Sequence, residues 1–237
     1  MRTVLITGAN RGLGLETAKQ LLEKGFFVYL GMRDTSKAEK LVNELSSISK
    51  EFKLLELDIL KNSQIRDALS EIRNAGHSLD ILINNAGVFI ESTGPNDQTT
   101  SSILKVDSAI VLKTIETNTI GALKMIQFFV PFMLEHGGGR IINVSSGMGQ
   151  LEHMKGHWPG YRMSKTGMNV LTKVLDEEMH EKNIIVNSVC PGWVRTDMGG
   201  ENALLSISEG VDSIVWLSTI SNSPRGKFIQ NRKVIEW

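Results

Sequence analysis

An apolar run, Val4-Leu5-Ile6, leads directly into Thr7-Gly8-Ala9-Asn10-Arg11-Gly12-Leu13-Gly14, and a helical pattern opens there. A strand, a glycine-rich turn and a helix in immediate succession leave few folds open. The same alternation continues along the chain. Strands are expected at 4–6, 26–30, 54–57, 79–83, 140–144 and 184–189, with a short last one at 227–230. Helices are expected at 13–24, 35–46, 65–72, 108–134, 159–180 and 208–217. Continuous apolar strands alternating with helices make a parallel sheet covered on both faces. The expected fold class is therefore α/β: a doubly wound, Rossmann-type parallel sheet of about seven strands with helices on both faces. Residues 91–102, rich in Ser, Thr, Gly, Pro, Asn and Asp, interrupt this pattern as a loop rather than ending a domain.

A chain of 237 residues suits one large domain, taken here as 1–237. With 41% hydrophobic and 22% charged residues, a mostly disordered chain is excluded. Lys plus Arg and Asp plus Glu are each 26, so no net positive field exists to hold nucleic acid or an anionic membrane. Cys190 is the single cysteine, which excludes an internal disulfide and a Cys-rich zinc site. The five histidines are scattered, with no pair at ligand spacing that also has a third partner nearby, and no metal is expected. The apolar stretch 3–6 is too brief for a signal segment, and 125–134, with its Gln and Pro, is too short to span a bilayer. The expectation is a cytoplasmic protein without membrane or nucleic-acid partners.

The turn carries the first chemistry. Glycines permit positive φ and close backbone approach. The start of the following helix offers unpaired N–H groups and a positive dipole end to a pyrophosphate. No Gly-Lys-Ser/Thr follows, which excludes a nucleoside-triphosphate P-loop. Gly8, Asn10, Arg11, Gly12, Leu13 and Gly14 are thus the expected dinucleotide-binding residues. At the tip of the second strand a carboxylate would bind the ribose 2′-OH of NAD. Met32 stands where that acid is expected and Arg33 follows it. Arg33, with Arg11 from the turn, suits a 2′-phosphate and favours NADPH. Asp34, twenty residues after Gly14, is the rival and would favour NAD.

Tyr161 and Lys165 lie four apart on an expected helix and share one face. An ammonium beside a phenol favours the phenolate and would make the Tyr a better acid at neutral pH. The fifth strand ends in Asn143-Val144-Ser145-Ser146, at the sheet edge where ligands bind in such folds. A Ser146 hydroxyl there can hydrogen-bond a substrate carbonyl, whereas Ser145 reads as a turn residue.

In order along the chain stand Thr7-Gly8-(x)3-Gly12-x-Gly14, Asn84-Asn85-Ala86-Gly87, Asn118, Ser146, Tyr161-(x)3-Lys165 and Pro191-Gly192-(x)3-Thr196. This pattern, which covers essentially the whole chain, resembles the short-chain dehydrogenase/reductase family in its single-domain form. Asn10-Arg11, Arg33-Asp34 and Leu57-Asp58-Ile59 look most like its NADPH-dependent carbonyl reductases. The resemblance implies that Tyr161 is general acid in carbonyl reduction and base in alcohol oxidation. Ser146 would polarise the carbonyl oxygen. Lys165 would lower the Tyr pKa and bond the nicotinamide ribose, and Asn118 would hold a relay water. Asn85, Ala86 and Gly87 would line the adenosine side, Asp58 and Ile59 would contact adenine, and Pro191, Gly192, Val194 and Thr196 would hold the nicotinamide. No role attaches to Cys190 beyond that of a small buried residue.

The insertion that precedes the Tyr in some monomeric carbonyl reductases is missing. Its absence leaves the long helix and the Tyr helix free to pack against copies, so a homodimer or homotetramer is expected. The segment after Thr196 is short, implying a small lid and an open site. Substrate contacts are expected from loops at 88–92, 147–158 and 198–205, with Met148, Trp158 and Trp193 foremost. These, with Leu151 and Met154, are apolar and favour a small apolar ketone or aldehyde; His153 and His157 read as surface or structural. A non-catalytic NADP(H)-binding regulator on the same scaffold is the alternative. A methyltransferase has no use for the Tyr/Lys pair, and a nucleotide-sugar epimerase needs a longer chain.

Overall fold

The computed structural model describes residues 1–36, 38–91 and 101–237. Its strands are β1 (Thr3–Thr7), β2 (Phe27–Met32), β3 (Phe52–Glu56), β4 (Ile81–Asn84), β5 (Gly139–Val144), β6 (Ile184–Val189), β7 (Lys227–Gln230) and β8 (Lys233–Ile235). They form one sheet in the order β3-β2-β1-β4-β5-β6-β7-β8. The first seven run parallel, with Ile6 opposite Leu30 on one side and Ile83 on the other. Strand order reverses beside β1, between β2 and β4, and that crevice is where open α/β sheets take ligands.

Successive residues of a strand point to opposite faces. Val4 and Ile6 enter one core layer, with Leu21 and Leu22 of α1 (Gly12–Glu23) and Ile214 and Leu217 of α8 (Asp212–Thr219). Leu5 enters the other, with Ile65 and Ile72 of α3 (Asn62–Asn74), Met125 and Phe129 of α5 (Gly121–Glu135) and Leu175 of α6 (Pro159–Glu178). The remaining helices are α2 (Glu39–Ser46), α4 (Ser108–Ile115) and α7 (Ile207–Gly210).

The expected doubly wound sheet is present, with three local differences. An eighth strand, β8, pairs antiparallel with β7 through a turn in which Asn231 and Arg232 both take positive φ. The helix expected over 108–134 is interrupted by a π-helical turn, Glu116–Ile120, which buries Asn118. The helix expected over 208–217 breaks at Val211 into α7 and α8, the first opened by a reciprocal Ser206–Glu209 cap.

Polar side chains are also buried in a row through the middle of the sheet. Asn84 Nδ2 donates to Asn143 Oδ1 at 2.9 Å, and Asn143 Nδ2 donates to Thr172 Oγ1 at 2.8 Å. The Thr172 and Ser188 hydroxyls share a 2.7 Å bond. The row joins β4, β5 and β6 to α6.

Candidate active site

The turn after β1 has the backbone that its glycines were expected to supply. Gly8 and Gly12 sit at φ +65° and +56°. A Cβ on Gly8 would lie 2.9 Å from Ala86 Cα, and one on Gly14 would lie 2.5 Å from Gly8 O and 2.6 Å from Asn85 Nδ2. The turn is buttressed from the end of β4. Thr7 Oγ1 accepts from the N–H groups of Asn85 and Ala86, both at 3.0 Å. Asn85 Nδ2 donates to Thr7 O at 2.8 Å and Gly8 O at 3.2 Å. Helix α1 opens with no side-chain cap from Arg11 and no acid in its first turn, so its dipole end faces the crevice uncompensated. These are the features a pyrophosphate needs, and the cradle fits one.

At the adenosine edge Met32 is buried and Arg33 exposed. Asp34 Oδ1 is engaged locally, accepting from Ser36 N at 2.8 Å and Ser36 Oγ at 2.6 Å. Arg11 does not lie free beside Arg33 as expected; its guanidinium is bonded to the Asp197 carboxylate in the loop after β6. Those two side chains are 70% and 75% exposed, and so exposed a pair exchanges readily for another anion. Asp58 closes its own turn, with Oδ1 accepting from Leu60 N at 3.0 Å. The Ile59 side chain is buried against Gly121, where a Cβ would come within 2.5 Å of it. Contact from residue 59 to a ligand is thereby limited to the main chain.

Tyr161 and Lys165 occupy successive turns of α6 and are 8% and 5% exposed. The Lys165 Nζ stands 5.6 Å from the Tyr161 ring centroid and donates to Val144 O at 2.8 Å. The expected acidification of the phenol is not found. Burial pushes Tyr161 up to about 12, a hydrogen bond with Ser146 pulls the other way, and Cys190 adds to the rise. Burial likewise pushes Lys165 down to about 8. The spacing of two residues reveals their mutual charge effect but not their burial, and here burial dominates.

Ser146 Oγ accepts from Met148 N at 3.1 Å, and Ser145 Oγ donates to Lys165 O at 3.1 Å, a bond to α6 in place of the turn bond expected of it. The Asn118 amide makes three hydrogen bonds. Its Oδ1 accepts from Val88 N at 2.7 Å, and its Nδ2 donates to Val88 O and Ser164 Oγ, both at 2.9 Å. A relay water at this position is left the second lone pair of Oδ1 or the main-chain carbonyl. Gly192 takes φ +81°, Val194 is buried, and Thr196 approaches the glycine turn, its Cγ2 lying 3.6 Å from a Cβ built on Gly12. Thr196 thus stands opposite Gly12, while Gly192 packs against Leu205 and Val194 against Gly210. Cys190 is buried, as expected.

On the substrate side, Met148 lies beside Ser146, and Trp158 packs edge-on against Phe89 at 5.9 Å. The Trp158 indole N–H is buried without a partner among the described residues. Trp193 is exposed and donates to Gly199 O at 2.8 Å. The expected 88–92 wall is described only to residue 91; Ser92 lies outside the described residues. His157 meets Ser101, with 3.3 Å between Nδ1 and Oγ, and takes positive φ, consistent with its structural reading. Three residues at the site lie in the expected loops 88–92 and 198–205 without having been singled out individually. Met198 Sδ accepts from the Tyr161 hydroxyl at 3.9 Å, Phe89 packs on the Tyr161 ring at 4.5 Å, and Glu91 bonds the start of α6. None carries a local signal, because each acts across tens of residues. Among the described residues no His/Cys/Asp/Glu group could hold a metal ion.

The family model for short chain dehydrogenase matches residues 2–204. The chain is 34% identical to the short-chain dehydrogenase anuI of Penicillium roqueforti, over 98% of this chain and 95% of that one. It is 28% identical to carbonyl reductase [NADPH] 1 of Rattus norvegicus, over 98% and 97%. Among solved structures, NADPH-bound carbonyl reductase from chicken fatty liver superposes with a TM-score of 0.86 at 29% identity, covering 100% and 99% of the two chains. Carbonyl reductase Sniffer of D. melanogaster superposes at 0.87 and 28%, covering both chains fully. The glycine turn, the sheet that carries it and the Tyr/Lys helix thus have their counterparts in one family, and this chain belongs to the short-chain dehydrogenases.

Proposed function

We propose that the protein is an NADPH-dependent carbonyl reductase acting on small, mostly apolar ketones and aldehydes, and reversibly on their alcohols. The observation that carries this reading is the meeting of the Tyr161 phenol, the Ser146 hydroxyl and the Lys165 ammonium at the sheet edge, beside a pyrophosphate-shaped glycine turn. NADPH, when bound, supplies the hydride for the carbonyl carbon. Gly8, Asn10, Arg11, Gly12, Leu13 and Gly14 would hold its pyrophosphate, and Arg33 its 2′-phosphate. Arg11 would exchange Asp197 for the same phosphate. The local engagement of Asp34 with Ser36 weakens it as a ribose acceptor and supports NADPH over NAD.

Ser146 would orient the substrate oxygen, and the Tyr161 O–H would donate its proton there as negative charge develops. A phenol near 12 is fully protonated at neutral pH and ready to act as an acid. An alkoxide is a far stronger base than a phenolate, so the transfer runs downhill. The Lys165 ammonium would stabilise the phenolate left behind and, at about 8, can return a proton to it. The substrate must displace Met198 from the phenol. Met148, Trp158 and Trp193 supply apolar surface around it, and this supports an uncharged substrate.

Exposed Leu112, Ile120, Met163, Val170 and Val174 lie on the outer side of α4, the π turn and α6. This apolar face supports a homodimer or homotetramer, which sedimentation would resolve. No described helix is long and apolar enough to cross a membrane, and the single unpaired cysteine supports a reducing compartment such as the cytoplasm. Fluorescence titration with NADPH and NADH, followed by an aldehyde and ketone panel, tests the reading. Tight NADPH binding with turnover is expected; binding without oxidation by any carbonyl would replace the enzyme with a regulator.

A further inference from the structure

The start of α6 lacks an ordinary cap. Trp158 stands at the cap position with φ 55° and offers no side-chain bond. The free N–H groups of a first turn need acceptors when they are buried. They find one seventy residues earlier in the chain. The Glu91 carboxylate accepts from Gly160 N at 2.7 Å and, through its other oxygen, from the N–H of Tyr161 itself. Glu91 is 5% exposed. Its neighbour Phe89 lies on the Tyr161 ring at 4.5 Å, so one short segment holds the residue by both its backbone and its ring.

Two further observations show that this contact is built in. A Cβ on Gly160 would lie 2.9 Å from Val111 Cα and 3.1 Å from the Glu91 carboxylate. Only glycine lets α4 and Glu91 approach the helix this closely. Arg162, buried and next to Tyr161, interacts electrostatically with Glu91 and spends its own hydrogen bonds on the 147–158 loop, at His157 O (2.8 Å), Met148 O (3.3 Å) and Gly156 O (3.2 Å). The carboxylate thus faces the helix dipole end and also attracts the cation that pins the substrate loop.

We propose that Glu91 is a positioning residue for the reaction: it fixes the first turn of α6, and with it the depth at which the Tyr161 hydroxyl meets the substrate oxygen. This rests on Tyr161 being the proton donor. Both Glu91 carboxylate oxygens are spent on the backbone of α6, so its removal should be felt in the chemical step and not in cofactor binding. Displacing a reacting group by about 1 Å is worth about a hundredfold in rate.

The test uses Glu91→Gln, which keeps one acceptor oxygen, Glu91→Ala, which keeps none, and Gly160→Ala, whose methyl presses on both the intact carboxylate and the α4 backbone at Val111. Steady-state reduction of para-nitrobenzaldehyde by NADPH is measured together with NADPH affinity. Tyrosines labelled with carbon-13 give a second readout, because the chain has only Tyr29 and Tyr161. The expected result is a kcat loss of about tenfold in Glu91→Gln and about a hundredfold in Glu91→Ala and Gly160→Ala, with KM and NADPH affinity held within about twofold. The Tyr161 resonance moves or broadens while that of Tyr29 stays. An unchanged kcat with an unchanged Tyr161 resonance overturns the proposal. So does a joint loss of kcat, NADPH affinity and both resonances, which would make Glu91 an ordinary core residue. If the wild type reduces no carbonyl, the enzymatic reading fails, and the two resonances alone decide whether Glu91 holds Tyr161.

Discussion

Lys165→Met offers a quantitative test of the buried ammonium. In the folded protein Lys165 titrates at about 8, against an ordinary value of 10.5. Each tenfold change in proton affinity is worth about 1.4 kcal/mol, so burying the charged form costs about 3 kcal/mol at neutral pH. The sign follows from proton counting. Between about 8 and 10.5 the folded protein has released this proton while the unfolded chain still holds it. Stability therefore rises with pH across that window. Met at 165 has no such proton, and apart from Cys190, whose charge interacts with that of Lys165, the other groups titrate in both proteins. Relative to Lys165→Met, the wild type should gain about 2 kcal/mol between pH 7 and about 9.5. The loss of the bond to Val144 O shifts the two curves by a constant and does not alter this difference. Urea unfolding of both proteins at several pH values measures it. Parallel stability curves, or a wild type that loses ground as pH rises, would refute the buried-ammonium reasoning.

Other outcomes follow from the same geometry. Tyr161→Phe removes the proton donor and should lower kcat by about 10²–10⁴-fold with NADPH affinity retained, as read by kinetics and fluorescence titration. Arg33→Ala should weaken NADPH by about tenfold or more and NADH little, by paired titrations; equal losses would return the choice of cofactor to Asp34. Gly14→Ala places a methyl 2.5 Å from Gly8 O and 3.0 Å from Ala9 Cα, both backbone atoms that cannot step aside. It should lower stability by about 1–3 kcal/mol in thermal unfolding and abolish tight NADPH binding.

What the sequence reveals here is local. The glycine turn, the Tyr161/Lys165 face and the polar end of β5 each fit within a few consecutive residues, and their physics is a matter of φ angles and helical pitch. The sheet follows from the alternation of apolar strands and helices. Glu91 gives no such signal, since a lone Glu beginning a polar loop looks solvated until a helix seventy residues away is set against it. The same holds for the Arg11–Asp197 pair, where one partner lies on the first turn and the other after β6. The π turn around Asn118 adds a residue to a helix without breaking its apolar stripe, so periodicity passes over it. Lys233 to Ile235 is too short and exposed to read as a strand. The direction of the Tyr161 shift was unreadable for another reason: neighbouring charge is visible in spacing, but burial belongs to the whole fold.

The row from Asn84 through Asn143 and Thr172 to Ser188 bears on how this enzyme can evolve. Greasy seams between a helix and a sheet can slip by a fraction of a turn at little penalty, whereas paired donors and acceptors match in one alignment only. Thr172 follows Tyr161 by eleven residues, three turns or about 16 Å along the same stripe of α6. The far anchor and the reacting tip are thus the two ends of one rigid ruler. Apolar replacements in that row could leave a folded protein whose ruler no longer reads zero, with turnover lost although no residue that meets the substrate oxygen has changed.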